Sequence, residues 1–125
     1  MFKDIKEEWI KALESGEYKQ GTGCLRRTVL EDDKFCCLGV LCDLYQKKTG
    51  KGRWENSGFG IMFFQKERGQ LPLEVAEWAG LDSTNPIVWD KNPDGTSYEW
   101  PISNHNDENR SFKDIARILS ENKLL

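Results

Sequence analysis

Lys34-Phe35-Cys36-Cys37-Leu38-Gly39-Val40-Leu41-Cys42-Asp43-Leu44-Tyr45 is the stretch that decides the fold. It is the longest apolar run in the chain and holds three of the four cysteines. Phe35 to Val40 is far shorter than the roughly 20 apolar residues a membrane span needs, but it suits the middle of a core. From Cys37 onward, Cys37, Leu38, Leu41, Cys42, Leu44 and Tyr45 recur at helical spacing. The spacing predicts a short strand at Phe35-Cys36 that passes into a buried helix ending near Lys48, with Gly50 as its stop.

Working outward, Phe2, Ile5, Trp9, Ile10 and Leu13 share one helical face, and Gly16 is placed to close that helix. Tyr18 to Gly23 reads as a loop. Cys24 to Leu30 reads as a strand, and Glu31 to Lys34 as a turn into Phe35-Cys36. Lys47 to Arg53 is a basic, glycine-containing loop. The segment from Trp54 to Phe64 alternates poorly, with a short strand or helical turn at Gly60–Phe64. Pro72 suits the first turn of a helix over Leu73–Ala79, closed by Gly80. Ile87-Val88-Trp89 and Tyr98-Glu99-Trp100 flank Asn92-Pro93-Asp94-Gly95, a hairpin signal. Ser111-Phe112-Lys113-Asp114 resembles a capping box and opens a last helix that buries Phe112, Ile115, Ala116, Ile118 and Leu119. Long parallel crossovers are missing, so the expected class is α+β: one small domain over 1–125, with three to four helices packed on short antiparallel hairpins.

Composition narrows the function. Charged residues make up 31% of the chain and the net charge is −3, which argues against general nucleic-acid binding. The first 53 residues carry 11 Lys/Arg against 9 Asp/Glu, and the remainder 7 against 12, so an anion site belongs in the first half. Acidic residues occupy the N-terminal segment where an export signal would be apolar, and no stretch is built to cross a membrane. The expectation is therefore a cytoplasmic protein with thiols rather than disulfides.

Several motifs then come together. Trp9-x-x-Ala12-Leu13-x-Ser15-Gly16-x-Tyr18-x-Gln20-Gly21 precedes Phe35-Cys36-Cys37-Leu38-Gly39-Val40-Leu41-Cys42-Asp43. Leu71-Pro72-x-x-Val75-x-x-Trp78-Ala79-Gly80-Leu81, Asn85-Pro86, Asn106-Asp107 and Ser111-Phe112-x-x-Ile115-Ala116 follow. The pattern resembles a widespread family of small proteins encoded by tailed phages and prophages, over nearly the whole chain except Gly52–Gly69 and Lys91–Ser103. The resemblance implies a phage accessory protein acting in the host bacterial cytoplasm. Small phage proteins of this kind include several that sequester nucleotide-type immune signals. That context suggests a counter-defence role, and no catalytic residues carry over.

The candidate sites follow from chemistry. Lys47-Lys48-Thr49-Gly50-Lys51-Gly52-Arg53-Trp54 joins cations, two glycines and an indole, a combination that can meet a phosphate and stack a base. With Arg26 and Arg27 on a neighbouring strand, the expected ligand contacts are Arg26, Arg27, Lys51, Arg53 and Trp54. Strand alternation turns one of the two arginines inward. Trp89 and Trp100, beside loops, are further contact candidates, whereas Trp9 and Trp78 lie on apolar helical faces. The four cysteines and His105 lack a C-x-x-C pair, and small buried thiols fit them better than a zinc site. Asp90-x-Asn92-x-Asp94-Gly95 begins like a calcium loop, but Pro101 stands where the bidentate glutamate belongs. No metal or cofactor is expected.

The leading expectation is non-catalytic sequestration of a small anionic, nucleotide-like host signal, by a protein that would commonly be a symmetric homo-oligomer. An interaction module that inhibits a host protein is the alternative. A small hydrolase is a third reading, and it needs His105 and Asp107 to converge in a cleft. For the core the expectation is direct: Leu41→Ala should cost about 2–5 kcal/mol, and an unchanged urea midpoint would refute a central place for this stretch.

Overall fold

The computed structural model describes residues 1–125. The elements in order are α1 (Lys3–Glu14), β1 (Lys19–Gln20), β2 (Arg26–Val29), β3 (Asp32–Phe35), α2 (Cys37–Thr49), β4 (Trp54–Asn56), β5 (Ile61–Phe64), α3 (Leu73–Ala79), β6 (Ile87–Lys91), β7 (Ser97–Pro101), α4 (Ile102–Asp107) and α5 (Phe112–Glu121). The class is α+β. A five-stranded sheet of order β1-β3-β2-β5-β4 is antiparallel except for the two-residue β1–β3 edge, and β6-β7 form a separate hairpin.

Helix α2 is the centre of the molecule. Residues 35–43 are buried without a break, and Tyr45 follows them inside. Such a helix must be covered on all sides, because each exposed apolar side chain would forgo its transfer free energy. Trp9 of α1 covers one side and donates its indole N–H to the Cys37 carbonyl at 2.9 Å. Strand β2 is entered directly beside another side. At Gly39 an added Cβ would overlap the Leu25 carbonyl oxygen, so the helix and the chain at Leu25 touch through backbone alone. Tyr45 meets Phe64 and Trp78 edge-on, at centroid distances of 6.1 and 5.4 Å, and thereby joins α2 to β5 and α3.

The helix begins at Cys37 as the spacing predicts, but the strand before it stops at Phe35 and not at Cys36. Cys36 is the N-cap residue: its backbone is extended, and its Sγ accepts a hydrogen bond from the Gly39 N–H at 3.4 Å. Gly50, at φ 71°, closes the helix as the spacing predicts. Gly16 and Gly80 are left-handed after α1 and α3, and the Ser111 side chain accepts from the Asp114 N–H.

Four expectations are revised. Lys19–Gln20, expected within a loop from Tyr18 to Gly23, forms the edge strand β1. Asp32, Asp33 and Lys34 are strand rather than turn, so the first hairpin turns at Leu30-Glu31. Trp54–Phe64 holds two paired strands whose order comes from the sheet and not from local alternation. His105 and Asp107 lie within α4, which the sequence reading left without a helix; it is only six residues long and is held by burial of Ile102, His105 and Asn106.

Gly39 gives a test with the sign opposite to helix propensity. Alanine is better than glycine in a helix by about 1 kcal/mol. Here Gly39→Ala should nevertheless destabilise the protein by about 1–3 kcal/mol, because the methyl group has no room against Leu25. A raised melting temperature would show that the backbone contact is looser than described.

Candidate functional site

On β2, successive side chains face opposite sides of the sheet. Arg26 turns toward α2, while Arg27 is exposed on the other face. The Arg26 guanidinium donates to both carboxylate oxygens of Asp33 at 2.8 Å, and Thr28 donates to Asp33 at 2.7 Å. Its Cζ lies 4.8 Å from the centroid of Phe35 and 5.1 Å from that of Trp54. Cation–π contacts of this kind contribute about 0.5–1 kcal/mol at partly exposed sites. Burial opposes ionisation of Asp33, but the bonds from Arg26 and Thr28 win and hold its carboxyl below the usual carboxylate range.

A second polar group meets this one from α2. The Asp43 carboxylate is nearly buried and accepts from Tyr18 Oη at 2.6 Å and from Trp54 Nε1 at 3.3 Å. Lys47, one turn on, pairs with Asp43 at 3.1 Å and donates to Tyr18 Oη at 3.1 Å. Partial burial and the bond to Asp43 push the Tyr18 phenol up. The bonds to Tyr18 and then Asp43 hold Lys47 in its charged form, up to about 12. Tyr18, Phe35 and Trp54 meet edge to face, at 5.0 and 5.9 Å.

Between the two groups lies an open cavity of about 530 Å³. Tyr18 and Phe35 are its aromatic lining; Lys19, Arg26 and Lys47 line it together with Glu17, Glu31, Asp33 and Asp43. Arg26 and Lys47 are already matched by Asp33 and Asp43, so the arrangement suits a ligand carrying both an anionic group and hydrogen-bond donors. A bare anion suits it less well.

Of the seven residues expected to contact a ligand, the structure brings Arg26 and Trp54 together. Trp54 is a half-buried support behind Arg26, packed on Phe64 at 4.8 Å, and not an open stacking platform. Lys51 and Arg53 are exposed and line none of the principal cavities. The cation run itself divides, since Lys47 and Lys48 end α2 and pair with Asp43 and Glu8. Arg27 lines a different cavity, with Lys34. Trp89 and Trp100 project from opposite faces of the β6–β7 hairpin, away from Arg26 in the topology. Sequence reasoning missed Tyr18 and Asp43, and it had Lys47 in the cation run but not among the expected contacts. Their signal was present as a polar Asp43 inside an apolar helix, which requires donors from elsewhere.

His105 and Asp107 do not converge. The His105 ring is fully buried against Tyr98 and Trp100, which also touch each other, with Nε2 3.3 Å from the Val88 carbonyl oxygen, whereas Asp107 accepts from the Gly23 N–H at 3.1 Å. The cysteines are all buried free thiols. Burial pushes Cys36 up to about 12 and raises Cys37 and Cys42 well above the ordinary thiol range. Thiols so disposed are poor nucleophiles near neutral pH.

Fold and cavity together define a small α+β domain with a preset polar and aromatic site beside the main sheet. The family model described as a domain of unknown function, DUF8296, matches residues 1–123, and the chain belongs to that family. No curated protein and no solved structure matches the chain. No helix is long and apolar enough to cross a membrane.

The buried His105 makes stability depend on pH. Burial lowers its pKa below 6.5, so the folded state favours the neutral ring while the unfolded chain takes up a proton near pH 6.5. Stability is therefore full above about pH 6.5 and falls as the pH drops through that value, levelling below the folded-state pKa. Chemical denaturation between pH 7 and pH 5 should show this slope, and His105→Gln should flatten it. Equal slopes for the two proteins would place the effect elsewhere.

Proposed function

We propose that this protein binds a small nucleotide-like ligand without converting it, in the cavity between β2, β3 and the C-terminal half of α2. Its biological role on this reading is that of a phage accessory protein that withdraws a host immune signal. The observation that carries the proposal is the fixed arrangement around Arg26 and Asp43. Six polar or aromatic side chains (Tyr18, Arg26, Asp33, Asp43, Lys47 and Trp54) form two hydrogen-bonded groups, joined by the contact of Arg26 with the Trp54 ring, that stand in place before any ligand arrives. Preorganisation of that kind lowers the entropy cost of binding. The carboxylates of Glu17 and Glu31 can accept from base amino groups or ribose hydroxyls, and Arg26 and Lys47 supply the positive charge beside them. The aromatic rings favour a flat ligand, and stacking of one base contributes about 1–3 kcal/mol.

An interaction module is the second reading, favoured by one feature. Ile87 is 62% exposed and, with Trp89 and Leu124, lines a depression of about 390 Å³. That surface lies on β6 and the residues that follow α5, separate from the Arg26 cavity.

A thermal-shift screen against cyclic di- and trinucleotides, cyclic ADP-ribose isomers and NAD tests the proposal, with the ligand recovered afterwards. At 100 times its dissociation constant a bound ligand should stabilise the fold by about 2.7 kcal/mol. Recovery of intact ligand is expected, as is loss of the shift in Arg26→Ala. Altered ligand would move the case to catalysis. No shift with any of these compounds would overturn the proposal in favour of a protein partner.

A further inference from the structure

The outer face of the main sheet carries a row of like charges. In the strand register Lys19 of β1 is opposite Lys34 of β3, and Lys34 is opposite Arg27 of β2. In the antiparallel β2–β3 pair, directly opposed Arg27 and Lys34 project from the same face at about 4.5–5.5 Å between Cβ atoms, and like charges so placed repel. One carboxylate serves the row. Asp32 meets Lys19 at 3.7 Å and Lys34 at 3.5 Å, in exposed contacts of small worth. Arg27 takes part in none of the ion pairs of the protein.

A cavity of about 300 Å³ opens beside this row, lined by Gln20, Gly21, Thr22, Cys24, Arg27 and Lys34. No carboxylate lines it, in contrast to the cavity on the inner face. The loop from Gly21 to Cys24 adds donors: the main-chain N–H groups of Thr22 and Cys24 donate to no backbone or side-chain acceptor. Those on either side are engaged, Gly21 N–H with Phe35 O at 2.7 Å and Gly23 N–H with Asp107 at 3.1 Å, so the loop is pinned. Gly21 keeps the cavity wall low, since a Cβ there would stand 2.9 Å from Lys34 Cβ.

We propose that this outer cavity is a second, independent site that takes a phosphate-type oxyanion, the terminal phosphoryl group of a small ligand. The Arg27 guanidinium and Lys34 ammonium supply the charge, and the Thr22 hydroxyl and the free N–H groups supply neutral donors. An anion there relieves the repulsion along the row, which no residue of the chain does fully. Strand alternation sets it apart from the Arg26 cavity, and it holds whether or not the inner cavity takes a nucleotide.

The test is a titration of the ¹⁵N-labelled protein with inorganic phosphate at pH 7 and constant ionic strength, with chloride as the control. Saturable shifts of the Thr22 and Cys24 amide signals are expected. Arg27→Gln should weaken binding about tenfold or more, as loss of a charged hydrogen bond implies. Lys34→Gln should act in the same direction, and Lys113→Gln, at an exposed cation of α5, should leave phosphate binding unchanged. Because Arg27 and Lys34 are exposed, the rest of the spectrum reports that these variants remain folded. Non-saturable shifts, equal shifts with chloride, or undiminished binding in Arg27→Gln would overturn the proposal. Loss in Arg26→Ala instead would assign the anion to the inner cavity.

Discussion

Enclosure of α2 is the constraint from which the rest of the structure follows. A helix whose first two turns are buried on every side cannot lie on a surface, and its neighbours are fixed by what they must cover. α1 supplies Trp9, α3 and β5 supply Trp78 and Phe64, and the approach to β2 supplies a bare backbone at Leu25. The contact between Gly39 and Leu25 brings the helix axis close enough to the sheet that Asp43 and Lys47, further along, come within reach of Tyr18 and Trp54. A side chain at position 39 would move the sheet outward and pull that group apart.

Buried polar groups tie the covering elements to one another. Asn106 of α4 accepts from the Cys37 N–H at 3.1 Å and from Gln20 Nε2 at 3.0 Å, and donates to the Gly21 carbonyl at 2.9 Å. One amide thus fastens the start of α2, the edge strand and the loop that borders the outer cavity. Asp90 of β6 does the same at the other end. Arg117 and Arg110 each reach it at 3.1 Å, and despite burial the hydrogen bonds from Arg117 and the Lys91 N–H, with the charge of both arginines, keep its carboxyl below the usual range. Leaving any of these groups unpaired would cost about 1–3 kcal/mol, so they select one arrangement among many that would bury the same apolar area.

The adjacent arginines show how one strand divides the chemistry between two surfaces. Arg26 is matched by Asp33 and lies on aromatic rings, so its charge is largely committed inside the protein. Arg27 is unmatched and faces solvent among other cations. The same residue type therefore serves orientation on one face and charge on the other, and the strand period alone sets the difference.

Local signals in the sequence determined four helices and the β6–β7 hairpin. The apolar period of α1 and α5, the left-handed glycines at 16, 50 and 80, Ser111 and the Asn-Pro-Asp-Gly turn each act within a few residues of where they stand. The sequence also determined that residues 35–45 lie at the centre and that Arg26 and Arg27 point apart. Only the tertiary structure decided the β4–β5 pairing, α4 and the company Arg26 keeps. Tyr18 and Asp43 are 25 residues apart, and Trp54 is a further 11 along. Nothing local selects such partners; they meet because α2 must be enclosed, and enclosure is a property of the whole chain.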